Sequence, residues 1–142
     1  MKHQNYRNHR RFVVGYHIVT FLIILLFIVG SIRGLLKATD DNLYSTSLLV
    51  LVGFILLLMF FYLRIFALKA QDRAIRAEEK LRYFILTGKA LSTTITTRQI
   101  IGLRFASDDE FVSLVEKAEK ENLSESEIKR SIRNWKPDHY RV

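Results

Sequence analysis

The sequence predicts an all-α protein: a membrane helical hairpin of two transmembrane helices, the second extended into the cytoplasm, followed by a small three-helix cytoplasmic region. Three observations carry this reading. Two runs of twenty-one residues have no formal charge, the positive charge of the chain is concentrated beside them, and a series of capping signals follows after residue 92.

The runs are FVVGYHIVTFLIILLFIVGSI, residues 12–32, and LYSTSLLVLVGFILLLMFFYL, residues 43–63. At the helical rise of about 1.5 Å per residue each spans roughly 31 Å, the thickness of a bilayer's hydrocarbon core. A chain of 142 residues is too short to enclose two helices that are apolar on every side. The first run is also longer than the apolar core of a cleavable signal peptide and is followed by no A-x-A-like site, so it is expected to stay attached.

Charge sets the orientation. The net +8 divides between residues 1–11, which hold Lys2, Arg7, Arg10 and Arg11 without an acid, and residues 64–91, where seven basic side chains meet three acidic ones. Residues 92–142 balance nine bases against nine acids. The ten-residue connection RGLLKATDDN, residues 33–42, carries two bases, against six from Arg64 to Tyr83. Lysine and arginine favour the cytoplasmic side, so both termini are expected there, in a multi-pass protein of the cell inner (plasma) membrane with residues 33–42 as an extracytoplasmic turn.

Arg7, Arg10 and Arg11 on one flank, with Arg64 and Lys69 on the other, then read as anchors. Their expected partner is a lipid bilayer with anionic headgroups, which attracts each charge by about 1 kcal/mol. A metal centre at His3, His9 and His17 is not expected, because the spacing fits no common ligand pattern and the chain has no cysteine. Tyr6 among the arginines belongs to no recognisable nucleic-acid module. Tyr16, Tyr44 and Tyr62 fall near the span boundaries, and Asp40, Asp41 and Asn42 suit the start of the second helix as Arg33 suits the end of the first. GSIRG, residues 30–34, reads mainly as a helix terminus and secondarily as a small-residue packing motif.

Beyond Leu63 the segment RIFALKAQDRAIRAEEKLRYFILTG has no proline and closes on Gly88, so residues 64–91 are expected to extend the second helix. Asp72 with Arg76, and Glu78 with Arg82, stand four apart and lend it support. Leu56, Phe60, Leu63, Ala67, Ala70, Ala74, Ala77, Leu81 and Phe84 alternate steps of four and three, which defines a helix-packing seam. Alanine along its cytoplasmic part would let another helix approach closely, although alanine is also simply the best helix former. An occupant would be the chain's own carboxyl-terminal region or the same helix of a second subunit.

Residues 92–142 read as three short helices. The first, RQIIGLRFA, is capped by Thr97 or Thr96 and weakened by Gly102, at about 1 kcal/mol relative to alanine. Ser107 with Glu110 suggests a capping box for the second, which carries Phe111, Val112, Leu114, Val115 and Ala118 on one face and runs through Asn122. Ser124 with Glu127 suggests another box for the third, ESEIKRSIRNW, with Ile128, Ile132 and Trp135 inward and Pro137 as a stop. The acids Asp108, Asp109 and Glu110 suit the dipole of a helix N-terminus and come with no ligand set or nucleophile. The last two helices resemble a helix-turn-helix with Lys129, Arg130, Arg133 and Lys136 exposed, but the region's neutrality weighs against nucleic acid.

FALKAQDRAIRAEEKLRYFILTGK, RQIIGLRFASDDEF, IKRSIRNWKPDHYRV and the opening QNYRNHRR resemble an uncharacterised family of small two-span bacterial inner-membrane proteins, found mostly among Bacteroidota, over nearly the whole chain. The resemblance implies the two-span topology and an inner-membrane location, and it brings no activity, ligand or catalytic residue with it. At Gly102 the family is expected to carry alanine.

The function expected is therefore that of a non-enzymatic integral membrane protein, an anchor or interaction module acting through its cytoplasmic helices in a homo-oligomer or with a membrane protein partner. No catalytic residue, cofactor or metal is expected. The alternatives are a membrane-tethered DNA-binding regulator and an accessory subunit of a larger transporter. The absence of any acid from either run argues against an ion route through the hairpin itself.

Overall fold

The computed structural model describes residues 4–6, 8 and 12–138. It is all-helical, with five α-helices and no strands among those residues. The chain divides into two compact units, residues 12–67 and residues 1–11 with 68–142.

In the first unit the chain enters through a π-helical turn, Gly15–Thr20, where the sequence suggests plain α-helix. The Thr20 hydroxyl donates to the Gly15 carbonyl five residues back at 3.0 Å, the spacing of a π turn. This turn sets Tyr16 against the second long helix: its ring stacks on Phe60 at 4.6 Å and its hydroxyl donates to the Phe60 carbonyl. Helix α1, Phe21–Leu36, follows and outruns the expected end at Ile32, with Arg33 in its last turn as the sequence suggests. A turn closes with the Thr39 N–H donating to Asn42 Oδ1 at 2.8 Å, and α2 spans Leu43–Thr87.

Phe21 of α1 meets Phe60 of α2, while Ile28, further along α1, reaches Gly53, earlier in α2, so the two helices run antiparallel. A Cβ on Gly53 would stand 2.8 Å from Ile28 Cγ1, and glycine is what lets the helices approach. Gly30 and Gly34 of the GSIRG motif meet nothing within 4 Å, so neither serves as a helix contact within this unit. The part of the expected seam that lies in this unit is contacted at Phe60. Helix α1 packs on Gly53 and Phe60, whereas Leu56 and Leu63 are exposed. Gly15–Leu36 and Leu43–Thr87 are both long and apolar enough to cross a membrane, with mean hydropathies of 2.5 and 2.7 over their most apolar windows.

In the second unit α2 ends at Gly88, whose φ of +70° is the left-handed conformation that glycine tolerates best. Then come α3, Thr97–Leu103, α4, Asp108–Lys120, and α5, Glu125–Ser131. Thr96, not Thr97, caps α3 in a full capping box with Gln99, and Ser124 with Glu127 makes the box of α5. Phe105, Phe111, Ile100, Leu103, Ile128 and Val115 are almost fully buried, and Ile75 of α2 joins the same core.

Three local expectations fail, each for a physical reason. Ser107 stands at the N-cap of α4 but its side chain makes no cap bond, and the reciprocal half of the box is lost because the Ser107 N–H donates to the Asn134 carbonyl at 3.1 Å while the Glu110 carboxylate accepts from the Arg133 and Asn134 N–H groups, both at 3.0 Å. Helix α4 stops at Lys120 rather than Asn122, since Asn122 turns left-handed at φ 49° and Leu123 N–H bonds back to the Ala118 carbonyl, an asparagine version of the Schellman stop. Helix α5 ends at Ser131 and Trp135 leaves the helical path. It pairs with Ala106 in an antiparallel bridge, and its ring stacks on Phe105 at 4.7 Å.

Candidate functional site

Within the second unit, two faces of α2 behave differently. One face is covered: Ile75 and Glu79 are buried, while Arg82 and Tyr83 are half-buried against the helices that follow. Arg82 is the centre of this contact. Its Nη1 donates to Glu79 Oε2 at 3.0 Å and its Nη2 to the Ala106 carbonyl at 2.8 Å, Asp108 Oδ1 lies 2.6 Å from Nε, and the guanidinium sits 4.2 Å above the Phe111 ring. The pairing of Arg82 with Glu78 expected from spacing gives way to these partners, of which Glu79 is buried. Burial raises the Glu79 carboxyl above its ordinary range despite the neighbouring Arg82.

The other face carries the predicted seam. Ala70, Ala74, Ala77, Leu81 and Phe84 are all exposed, Leu81 at 59% and Phe84 at 54%, so helices α3 to α5 do not cover it, although Ala74 lies at its edge, beside Arg104 and Asp138. Ala67 is half-buried in the first unit. Of the bases expected to flank a membrane, Arg64 is half-buried and Lys69 exposed, while Arg7, Arg10 and Arg11 lie outside the described residues, as do His3 and His9. His17 is half-buried, with its Nδ1 2.9 Å from the Val13 carbonyl, and no cluster of metal-ligating residues occurs among the described residues.

Sequence reasoning missed a cleft of about 560 Å³ bordered by Gln71, Glu78, Glu79, Arg104, Lys136 and Asp138. Arg104 is withdrawn from water, its side chain 9% exposed, with Nη1 3.5 Å from Asp138 Oδ2 and its guanidinium 4.5 Å above the Phe105 ring. Among the described residues its Nε and Nη1 have no hydrogen-bond acceptor, and burial lowers its pKa while Asp138 opposes the shift. Such a guanidinium can accommodate an oxygen acceptor, whether a water, a carbonyl or a carboxylate. Its only sequence signal is an arginine between the apolar Leu103 and Phe105.

Gln4 and Tyr6 also belong to this unit. Gln4 pairs with the Asp138 backbone in both directions, its Nε2 donating to the carbonyl at 3.2 Å and its Oε1 accepting the N–H at 2.7 Å. The Arg130 Nε donates to the Tyr6 hydroxyl at 3.3 Å, and that bond holds the Tyr6 phenol below its ordinary range. Of the four cations proposed for a major-groove face, Lys129 is buried and bonded to Glu125 at 2.6 Å, and Lys136 borders the cleft. Asp108 and Glu110 of the acidic run are committed to Arg82 and to the residues after α5, which leaves them a structural role.

No curated protein and no solved structure matches the chain. A family model does match, over residues 1–142, and on that full-length match the chain belongs to the family of unknown function DUF6526.

Proposed function

We propose that this protein is a non-enzymatic integral protein of the cell inner membrane, with both termini cytoplasmic, whose apolar helices anchor an interaction module built from the end of α2 and α3 to α5. The observation that carries the reading is a contrast between the units. Residues 100–128 supply a closed apolar core, whereas Leu26 at 72%, Leu36 at 80% and Leu58 at 56% of the first unit are left to the surroundings. Only 11% and 6% of the two apolar windows are buried within the protein, so lipid is the solvent that suits them.

Two further observations support it. The bonds from Gln4 and Tyr6 to Asp138 and Arg130 hold the segment before the first span beside the carboxyl-terminal helices, as a shared cytoplasmic side requires. The burial of Lys129 and the contact between Arg130 and Tyr6 draw two of the four cations away from a duplex-DNA face.

Lysine-directed cross-linking in native membranes, followed by identification of the joined peptides, tests the role. The expected products link Lys69, Lys80 or Lys89 to protein. Recovery of the chain in the soluble fraction, or cross-links only within single chains at every reagent concentration, overturns the reading.

A further inference from the structure

We propose that the exposed face of α2 in the second unit docks a second copy of this chain, with the two α2 helices parallel. Resting on the membrane-anchored reading above, this orientation needs no further assumption: two copies inserted with the same topology present α2 in the same direction. The face follows a heptad, with Ala70, Ala77 and Phe84 at one core position and Ala74 and Leu81 at the other. Ile85, 72% exposed, borders it, and together with Leu81 and Phe84 it puts three large apolar side chains in water beside a helix whose opposite side already carries α3 to α5.

Charge identifies the occupant. Position g of this heptad is Arg73 and the following e position is Glu78, five residues on, which is the spacing that brings g of one helix to e of a parallel partner. Both side chains are exposed, Glu78 at the rim of the cleft that Arg104 lines. The register that joins the alanines of two copies therefore joins Arg73 of each to Glu78 of the other, twice over by symmetry. The surface is complementary to itself in the parallel arrangement, and alanine at the core lets the helices approach closely enough for these pairs to form.

The chain has no cysteine, so single cysteines report directly. In native membranes, Ala77→Cys is expected to form a disulfide-linked dimer, while Arg76→Cys, on another face, remains monomeric. On the Ala77→Cys background, Arg73→Glu and Glu78→Arg alone are each expected to lower the dimer yield about three- to five-fold, and the double reversal to restore it. Equal yields at positions 76 and 77, no dimer from a chain that alkaline carbonate leaves in the membrane, or a cross-link to a different protein overturns the second copy while sparing the anchor. Release of the chain by carbonate overturns both.

Discussion

Arg82 Nε lies 2.6 Å from Asp108 Oδ1, which fastens the last turns of α2 to the first residue of α4. The same guanidinium holds Glu79 and the Ala106 carbonyl, so a single planar fork joins three segments of the second unit. Lysine offers one compact charge and cannot reproduce this. Arg82→Lys is expected to destabilise the helical module by about 2 kcal/mol, and Arg82→Ala by about 3 to 5 kcal/mol, because alanine leaves Glu79 buried without its partner. Hydrogen exchange of the full chain in detergent micelles checks this, through faster exchange in α4 than in the first unit.

Gln99 joins α3 to the end of α4. Its Oε1 accepts the Thr96 N–H at 2.8 Å, and its Nε2 donates to the Leu123 carbonyl at 3.0 Å. Gln99→Met keeps the volume but leaves both backbone groups without this partner, and is expected to cost about 1 to 3 kcal/mol. A lower denaturation midpoint with an unchanged slope in the micellar protein would register that loss.

A Cβ on Gly102 would stand 3.1 Å from the Glu125 carbonyl oxygen and 3.2 Å from Ile128 Cγ2. The Glu125 backbone opens α5, and its carboxylate is bonded to Lys129, so it has little room to retreat. Gly102→Ala is therefore expected to lose about 1 kcal/mol net, the crowding outweighing the gain in helix propensity. Thermal melting of wild type and variant side by side decides the sign, and a stabilised variant would contradict the packing account.

Burial raises the Glu79 carboxyl in the folded protein, so the native state binds this proton more tightly than the unfolded chain does. The contribution favours folding below the ordinary carboxylate range and fades as pH rises through the raised value. Glu119 and Glu127 carry lowered values, from the hydroxyls of Ser92 and of Ser124 respectively, and act in the opposite direction. The expected signature is thus a difference: wild type minus Glu79→Gln, which keeps an acceptor for Arg82, loses stability with rising pH. A difference that is flat from pH 4 to neutrality would contradict a desolvated carboxyl.

Features set by local chemistry were readable from the sequence. The lengths of the apolar runs, the stop at Gly88 and the Ser124–Glu127 box depend on neighbours in the chain, and all three are present. Features that depend on competition between distant groups were not. Glu110 was expected to close a box with Ser107, but the backbone after α5 takes its carboxylate. Arg82 was paired with Glu78 by spacing, while Glu79, Asp108 and Phe111 claim it in space. Gly102 looked like a weak point in a helix and instead lies against α5. The contact between Gln4 and Asp138 joins opposite ends of the chain, and no local pattern announces it.

Labelling with a membrane-impermeant maleimide tests most directly whether the apolar helices lie in lipid with both ends of the chain on one side. Single cysteines at Asn8, Asp41 and Ser126, all exposed, mark the amino-terminal segment, the turn before α2 and the start of α5. In sealed right-side-out vesicles, Asp41→Cys is expected to label at once, and Asn8→Cys and Ser126→Cys only after permeabilisation. Equal labelling of all three before permeabilisation, or labelling of positions 8 and 126 from opposite faces, would contradict the account.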